Sequence, residues 1–216
     1  VYAPVAHWVW EPGGWLAQRG VLAFAGGAVV HINAGVSGLV CAYMVGARKG
    51  YGRESFEPFN LGLTMAGAGL LWVGWFGFNA GSAVASDGRA GLAMAVTHIA
   101  AAAGAVTWML GEWIVRQRPS LLGLCAGLVA GLVAITPAAG FVTPGSAVVI
   151  GGVAGLACYW GATGLKRLLQ ADADAANPDL WRADFFPPHE GRARVYIVRR
   201  AEELSRQQQE RLQATA

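Results

Sequence analysis

Phe24-Ala-Gly-Gly-Ala-Val-Val-His-Ile-Asn-Ala-Gly35 places a histidine inside a run, Gly20–Ala47, that carries no formal charge. An ionisable side chain at membrane depth is costly unless it faces the interior of a bundle, so His31 is a functional candidate. On helical spacing Gly27, His31, Gly35 and Gly38 share one face, made of residues small enough to admit another helix or leave a narrow channel. Val29 and Val30 fall away from that face and suit lipid or packed apolar neighbours. The stretch predicts a narrow apolar conduit with an imidazole in its wall.

Working outward, further uncharged runs cover Pro58–Ser86, Ala90–Gly111 and Pro119–Leu165. A helix that crosses the hydrocarbon needs about 20 mostly apolar residues. The first three runs supply one span each, at 25–46, 59–81 and 90–115. The fourth supplies two, at 120–135 and 146–165, split by Thr136-Pro-Ala-Ala-Gly-Phe-Val-Thr-Pro144. Each proline there removes a backbone donor and disfavours helix in the residue before it. Apolar residues at 55%, charged residues at 13% and a mean hydropathy of +0.41 agree with this pattern. The fold class is all-α: a polytopic α-helical membrane protein. It divides into an outer vestibule segment (1–20), a five-span membrane domain (21–169) and a polar tail (170–216).

The net charge of +3 is no nucleic-acid signature, because its surplus lies at span ends. Arg48, Lys49 and Arg53 follow span one, Arg116 and Arg118 follow span three, and Lys166 and Arg167 follow span five. The loop after span two has only Arg89, and the link after span four has no basic residue. By the positive-inside rule the ends of spans one, three and five are cytoplasmic, in a multi-pass arrangement in the cell (inner or cytoplasmic) membrane. The N-terminal segment is then outside. Its Trp8, Trp10 and Trp15 suit an interfacial belt, and Glu11-Pro-Gly-Gly14 suits a turn.

Cys41, Cys125 and Cys158 lie within predicted spans and read as small buried hydrophobes, with no disulfide and no metal site. His98 reads as a packed or hydrogen-bonded helix residue, His7 as interfacial, and Glu112 as a helix-end partner for a nearby arginine. The chain opens on Val1 and reads as a piece that starts mid-protein.

Trp75, Phe78 and Ser82 share one helical face at the end of span two. With Trp10 they offer aromatic faces and a hydroxyl at one mouth. Aromatic rings attract a small cation by ~0.5–1 kcal/mol when exposed and ~2 or more when desolvated. A serine oxygen accepts from a cation that has N–H donors, which ammonium has and sodium and potassium lack. Packing and interface-belt duty is the plainer account of the same residues.

The stretch Phe24–Gly35, together with Gly74-Trp-Phe-Gly-Phe-Asn-Ala-Gly-Ser-Ala83, Ser120-Leu-Leu-Gly123 and Gly131-Leu-Val-Ala-Ile-Thr-Pro-Ala-Ala-Gly-Phe141, resembles the ammonium transporter (Amt/Mep/Rh) family, bacterial type. The match runs from about Tyr2 to Leu169. It implies a fragment of an eleven-span inverted-repeat fold, contributing the fifth to ninth spans, assembled as a homotrimer with one pore per subunit. Trp10 (allowing a one-residue insertion in the turn), Phe78 and Ser82 match the family's ammonium recruitment site, with Trp75 beside them. Phe78 would be one of two stacked phenylalanines gating the pore. His31 matches the first of the twin pore histidines, where ammonium gives up its proton and ammonia crosses. The implied partners are ammonium or methylammonium, the lipid bilayer and a cytoplasmic nitrogen-regulatory protein. There is no cofactor, no metal and no covalent catalysis.

Three departures from the pattern stand out. Ala23 occupies the family's aspartate position, eight residues before the pore histidine. The family's second histidine has no counterpart, because His189 lies in Asp184-Phe-Phe-Pro-Pro-His-Glu-Gly191, which cannot be a span. The first four spans are absent, and the family pattern stops near residue 170, as a shifted reading frame would make it. The expectation is therefore an ammonium transporter fragment that does not conduct alone. The alternatives are a regulatory ammonium-binding membrane protein and a membrane scaffold for a tail-borne interaction.

Overall fold

The computed structural model of the protein describes residues 2–46 and 58–165. The basic clusters at 48–53 and 166–167, the tail from 170 and His189 lie outside the described residues. Every regular element among them is helical. The order is α1 (Tyr2–Trp10), a π-helical turn (Gly27–Ile32) running into α2 (Asn33–Val45), α3 (Leu61–Gly81), α4 (Gly88–Arg116), α5 (Leu121–Ile135) and α6 (Pro144–Trp160), which ends in a second π-helical turn (Gly161–Leu165).

Local chemistry sets the helix starts. Asn60, Asp87, Ser120 and Thr143 each turn a side-chain oxygen onto a free amide of the first turn of α3, α4, α5 and α6. Such caps contribute roughly 1 kcal/mol each. Pro144 stands at the first position of α6, where its missing N–H costs nothing. The predicted spans correspond to the helices to within a few residues.

Two expectations are corrected. Residues 2–10 form a helix, whereas the sequence suggests only a turn-rich outer segment. The turn comes after it, and Leu16 and Ala17 both donate back to the Trp8 carbonyl (3.0 Å each). Secondly, four helices are long and apolar enough to cross a membrane, while α5 has 15 residues. At 1.5 Å per residue it measures about 22 Å. The Thr136–Ala139 link, buried at its two ends, extends it, with Ala138 donating to the Ile135 carbonyl in a tight turn.

The core is built on α4, against which α5 and α6 pack. Ala93, Val96, Ala100, Ile135, Ala139 and Ala147 form one buried cluster. Leu128 and Leu132 of α5 form another with Ala101 and Ala105, under Trp72 and Trp75 of α3. Glycine seams allow this closeness: a Cβ on Gly104 would lie 2.5 Å from the Gly127 carbonyl oxygen, and Cβ atoms on Gly131 and Gly151 would both overlap the Ala100 carbonyl. Where lipid is as apolar as the side chains, such close backbone packing is a main source of helix association. The glycines of α2 behave differently. Gly27 is packed on the Pro137 ring, but Gly35 and Gly38 face open space, so among the described residues only the first glycine of the predicted stripe is in contact.

Glu112 also departs from expectation. It is 4% exposed and meets no arginine among the described residues. Its carboxylate accepts from the Ser120 amide (2.7 Å), the Ser120 hydroxyl (3.0 Å) and the Trp108 indole N–H (3.4 Å). It thereby ties the end of α4 to the start of α5, where a negative charge meets the positive helix end. Glu112→Ala leaves the buried Trp108 indole N–H and the half-buried Ser120 amide without their acceptor. We expect a loss of about 2–4 kcal/mol, with Glu112→Gln losing less, read as midpoints of unfolding in detergent.

Candidate functional site

The site forms where the lead-in to the first span meets α3 and the link after α5. The chain turns into the π-helical segment at Gly26, whose φ of +96° is left-handed and where a Cβ would come within 3.1 Å of the Trp10 ring. Before that turn, Phe24 donates to the Pro137 carbonyl (2.9 Å) and Ala25 to the Thr136 carbonyl (3.3 Å). Trp10 donates its indole N–H to the Ala23 carbonyl (2.8 Å). The lead-in is thus pinned on both sides, and Ala23 itself is buried.

From this anchorage the π-helical turn delivers His31 to α3. Its imidazole stacks on the Trp75 indole, with ring centroids 5.2 Å apart and planes 25° apart. It also lies 5.9 Å from the Phe78 ring. Trp75 and Phe78 meet edge to face at 5.7 Å. The indole N–H of Trp75 donates to the Thr136 hydroxyl (2.9 Å), which in turn donates to the Leu132 carbonyl (2.7 Å). Among the described residues His31 Nε2 is buried with no hydrogen-bond partner.

Ser82 closes α3 and donates its hydroxyl proton to the Phe78 carbonyl (2.9 Å). That leaves the oxygen's lone pairs free to accept from a donor. Phe78 is 38% exposed and Trp10 45% exposed, so both present ring surface to a small cation. Of the residues singled out in the sequence, the structure brings His31, Trp75 and Phe78 into one cluster, with Ser82 one turn beyond. Trp10 is tied instead to Ala23, on the neighbouring lead-in.

Two participants escape a reading of the sequence. Thr136 reads there only as part of a helix break, yet its hydroxyl orients Trp75 and its carbonyl holds Ala25. A hydroxyl beside a proline in an otherwise apolar link is the available signal. Asn79 is fully buried and donates to the Thr97 hydroxyl (2.8 Å), which fixes α3 on α4 behind Phe78. His98, by contrast, has an exposed imidazole stacked on Trp72 at 5.0 Å, near Phe76. It lies on the opposite flank of α3 from Phe78. The cysteines split: Cys125 is buried, but Cys41 and Cys158 are exposed, which corrects the expectation for those two.

The model of the Ammonium Transporter Family matches residues 1–176. The chain belongs to the ammonium transporter family. The ammonium transporter of Bacillus subtilis is 54% identical over 167 residues, covering 77% of this chain and 41% of that protein. Ammonium transporter Amt1 of Archaeoglobus fulgidus is 53% identical over 159 residues, covering 74% of this chain and 40% of its own length. The crystal structure of Candida albicans Mep2 superposes with a TM-score of 0.75 at 40% identity, over 82% of this chain and 40% of that one. The chain therefore spans about two fifths of the length of these relatives. As an ammonium transporter family member with apolar helices of spanning length, it is a multi-pass membrane protein. The His31–Trp75–Phe78 cluster falls inside the matched region.

Proposed function

We propose that this chain supplies an ammonium recruitment surface and one pore histidine to an ammonium transporter. The observation that carries it is the stack of His31 on Trp75 beside Phe78, with the indole locked by Thr136. Phe78 and Trp10 offer ring faces to a cation, and Ser82 offers an acceptor oxygen. A bare cation in the apolar passage beyond is expensive, whereas neutral ammonia is not. His31 Nε2 is the atom on that route able to exchange a proton. In this reading the α2 and α4 ends at Val45 and Arg116 are cytoplasmic, the membrane is the inner one, and the chain works within a homotrimer that a nitrogen-regulatory protein can dock on. It performs no covalent catalysis.

Ala23 favours a second reading, in which the chain binds ammonium but does not conduct. Methyl supplies no negative charge where the family has aspartate, and the passage has a single histidine among the described residues.

The test is methylammonium binding to the 216-residue chain in proteoliposomes, followed by tryptophan fluorescence, with a current measurement on the same vesicles. Methylammonium chloride is expected to change the emission and sodium chloride is not. Phe78→Ala should weaken the response about ten-fold, the loss of one desolvated cation–π contact. No ammonium current is expected from this chain alone. Equal responses to sodium and methylammonium would end the recruitment proposal, and a clear ammonium current would end the claim that the chain does not conduct.

A further inference from the structure

We propose that Arg89 is a positioning residue of the recruitment surface, acting as a cationic clamp on the lead-in that carries Ala23 and Trp10. Arg89 stands in the first turn of α4, just after the Asp87 cap. Its guanidinium lies 5.1 Å from the centre of the Phe24 ring and 4.8 Å from that of Phe141. The two rings meet edge to face at 5.6 Å, and Arg89 Nε donates to the Gly140 carbonyl (3.4 Å). Gly140 is integral to the arrangement, since a Cβ there would overlap the Phe24 ring. One side chain of α4 thus holds together two segments far apart in sequence, the lead-in and the link after α5.

Those two segments set the geometry of the site. Phe24 is flanked by Ala23, whose carbonyl receives the Trp10 indole, and by Ala25, which bonds to Thr136. The backbone bonds from Phe24 and Ala25 are few and lie in irregular structure. With the guanidinium gone, Phe24 keeps its amide bond to Pro137 and its ring contacts with Phe141 and Gly140, but loses the group that joins the two rings to the link. The lead-in then loosens, and Trp10 loosens with it. Arg89 is exposed, so the clamp rests not on desolvation but on one guanidinium engaging two rings and a carbonyl together. Sites held by locked supporting residues lose affinity when that support is left loose.

The ligand half of this proposal rests on the recruitment reading above; the clamp itself does not. The experiment uses the 216-residue chain in detergent and compares wild type, Arg89→Met, Arg89→Lys and Phe141→Leu. Hydrogen–deuterium exchange is followed on peptides covering 21–28, with peptides covering 97–105 as an internal control for the α4 core. Arg89→Met and Phe141→Leu should each speed exchange at Phe24 and Ala25 by about ten-fold, with the control unchanged. Arg89→Lys, which keeps a charge over the rings but not the fork, should fall between. Methylammonium titrated into the same samples should bind about five-fold more weakly to Arg89→Met. Unchanged exchange at 21–28 overturns the clamp. Faster exchange with unchanged affinity overturns the positioning role. If wild type gives no methylammonium response, the recruitment reading falls, and the exchange data alone decide the clamp.

Discussion

Gly131→Val is expected to leave no folded bundle. Gly131 lies where α5 crosses α4, and a Cβ there would overlap the Ala100 carbonyl oxygen and come within 3.0 Å of the Ala101 α-carbon. The obstructing atoms are backbone, so no rotamer change relieves the overlap. Ala100 cannot retreat either, because on its other side Gly151 of α6 presses against the same carbonyl. Overpacking against yielding side chains costs about 1–3 kcal/mol. Here the only escape is for α4 and α5 to move apart, so the loss should exceed about 3 kcal/mol, a large share of a small protein's stability. Size-exclusion profiles and protease resistance in detergent measure it. Gly74→Val is the matched control: it adds the same side chain on α3, where nothing lies within 4 Å of the Cβ, and should cost little.

Ala23→Asp should tighten methylammonium binding about ten-fold or more, the second large effect. Ala23 is buried in a small cluster with Val9 and Val29, just ahead of the π-helical turn. That turn starts at Gly26 without any side-chain cap. A carboxylate at position 23 would meet the free amides at the head of the turn, which suit negative charge. That pairing offsets the cost of burying it, and its field then favours a cation at the ring of Trp10, whose indole is bound to the Ala23 carbonyl. Titrations of the two chains side by side decide the matter. Equal affinities would mean that position 23 shapes the backbone alone, and that its charge plays no role in recruitment.

Much of this architecture was legible because charge is so sparse. Four uncharged runs and one Thr-Pro link located five helices, and helical spacing put Trp75, Phe78 and Ser82 on one face. The short π-helical turn at Gly27–Ile32 was not legible. Its sequence, Gly-Ala-Val-Val-His-Ile, suits α and π geometry alike, and the seat of Gly27 on Pro137 is a contact 110 residues away that no local pattern shows. Glu112 illustrates a second limit. Charge counting nominates an arginine partner, but the carboxylate is consumed by the amide and hydroxyl of Ser120, groups that carry no charge and leave no trace in a charge pattern. Arg89 shows a third: its partners are two phenylalanines, 65 residues before it and 52 after it, and only the folded chain brings them together.

The seam of glycines at 104, 127, 131, 151 and 155 has a consequence at the level of the gene. A glycine codon can change by one base only to alanine, serine, cysteine, valine, aspartate, glutamate, arginine, tryptophan or stop. Every one of those amino acids brings a Cβ, and at these five positions a Cβ meets backbone. No single-nucleotide missense change is therefore harmless there. A saturation library selected for folded protein should return these codons altered only in the third base, while Gly35 and Gly38 of α2 and Gly74 of α3, where a Cβ meets nothing, accept alanine or serine.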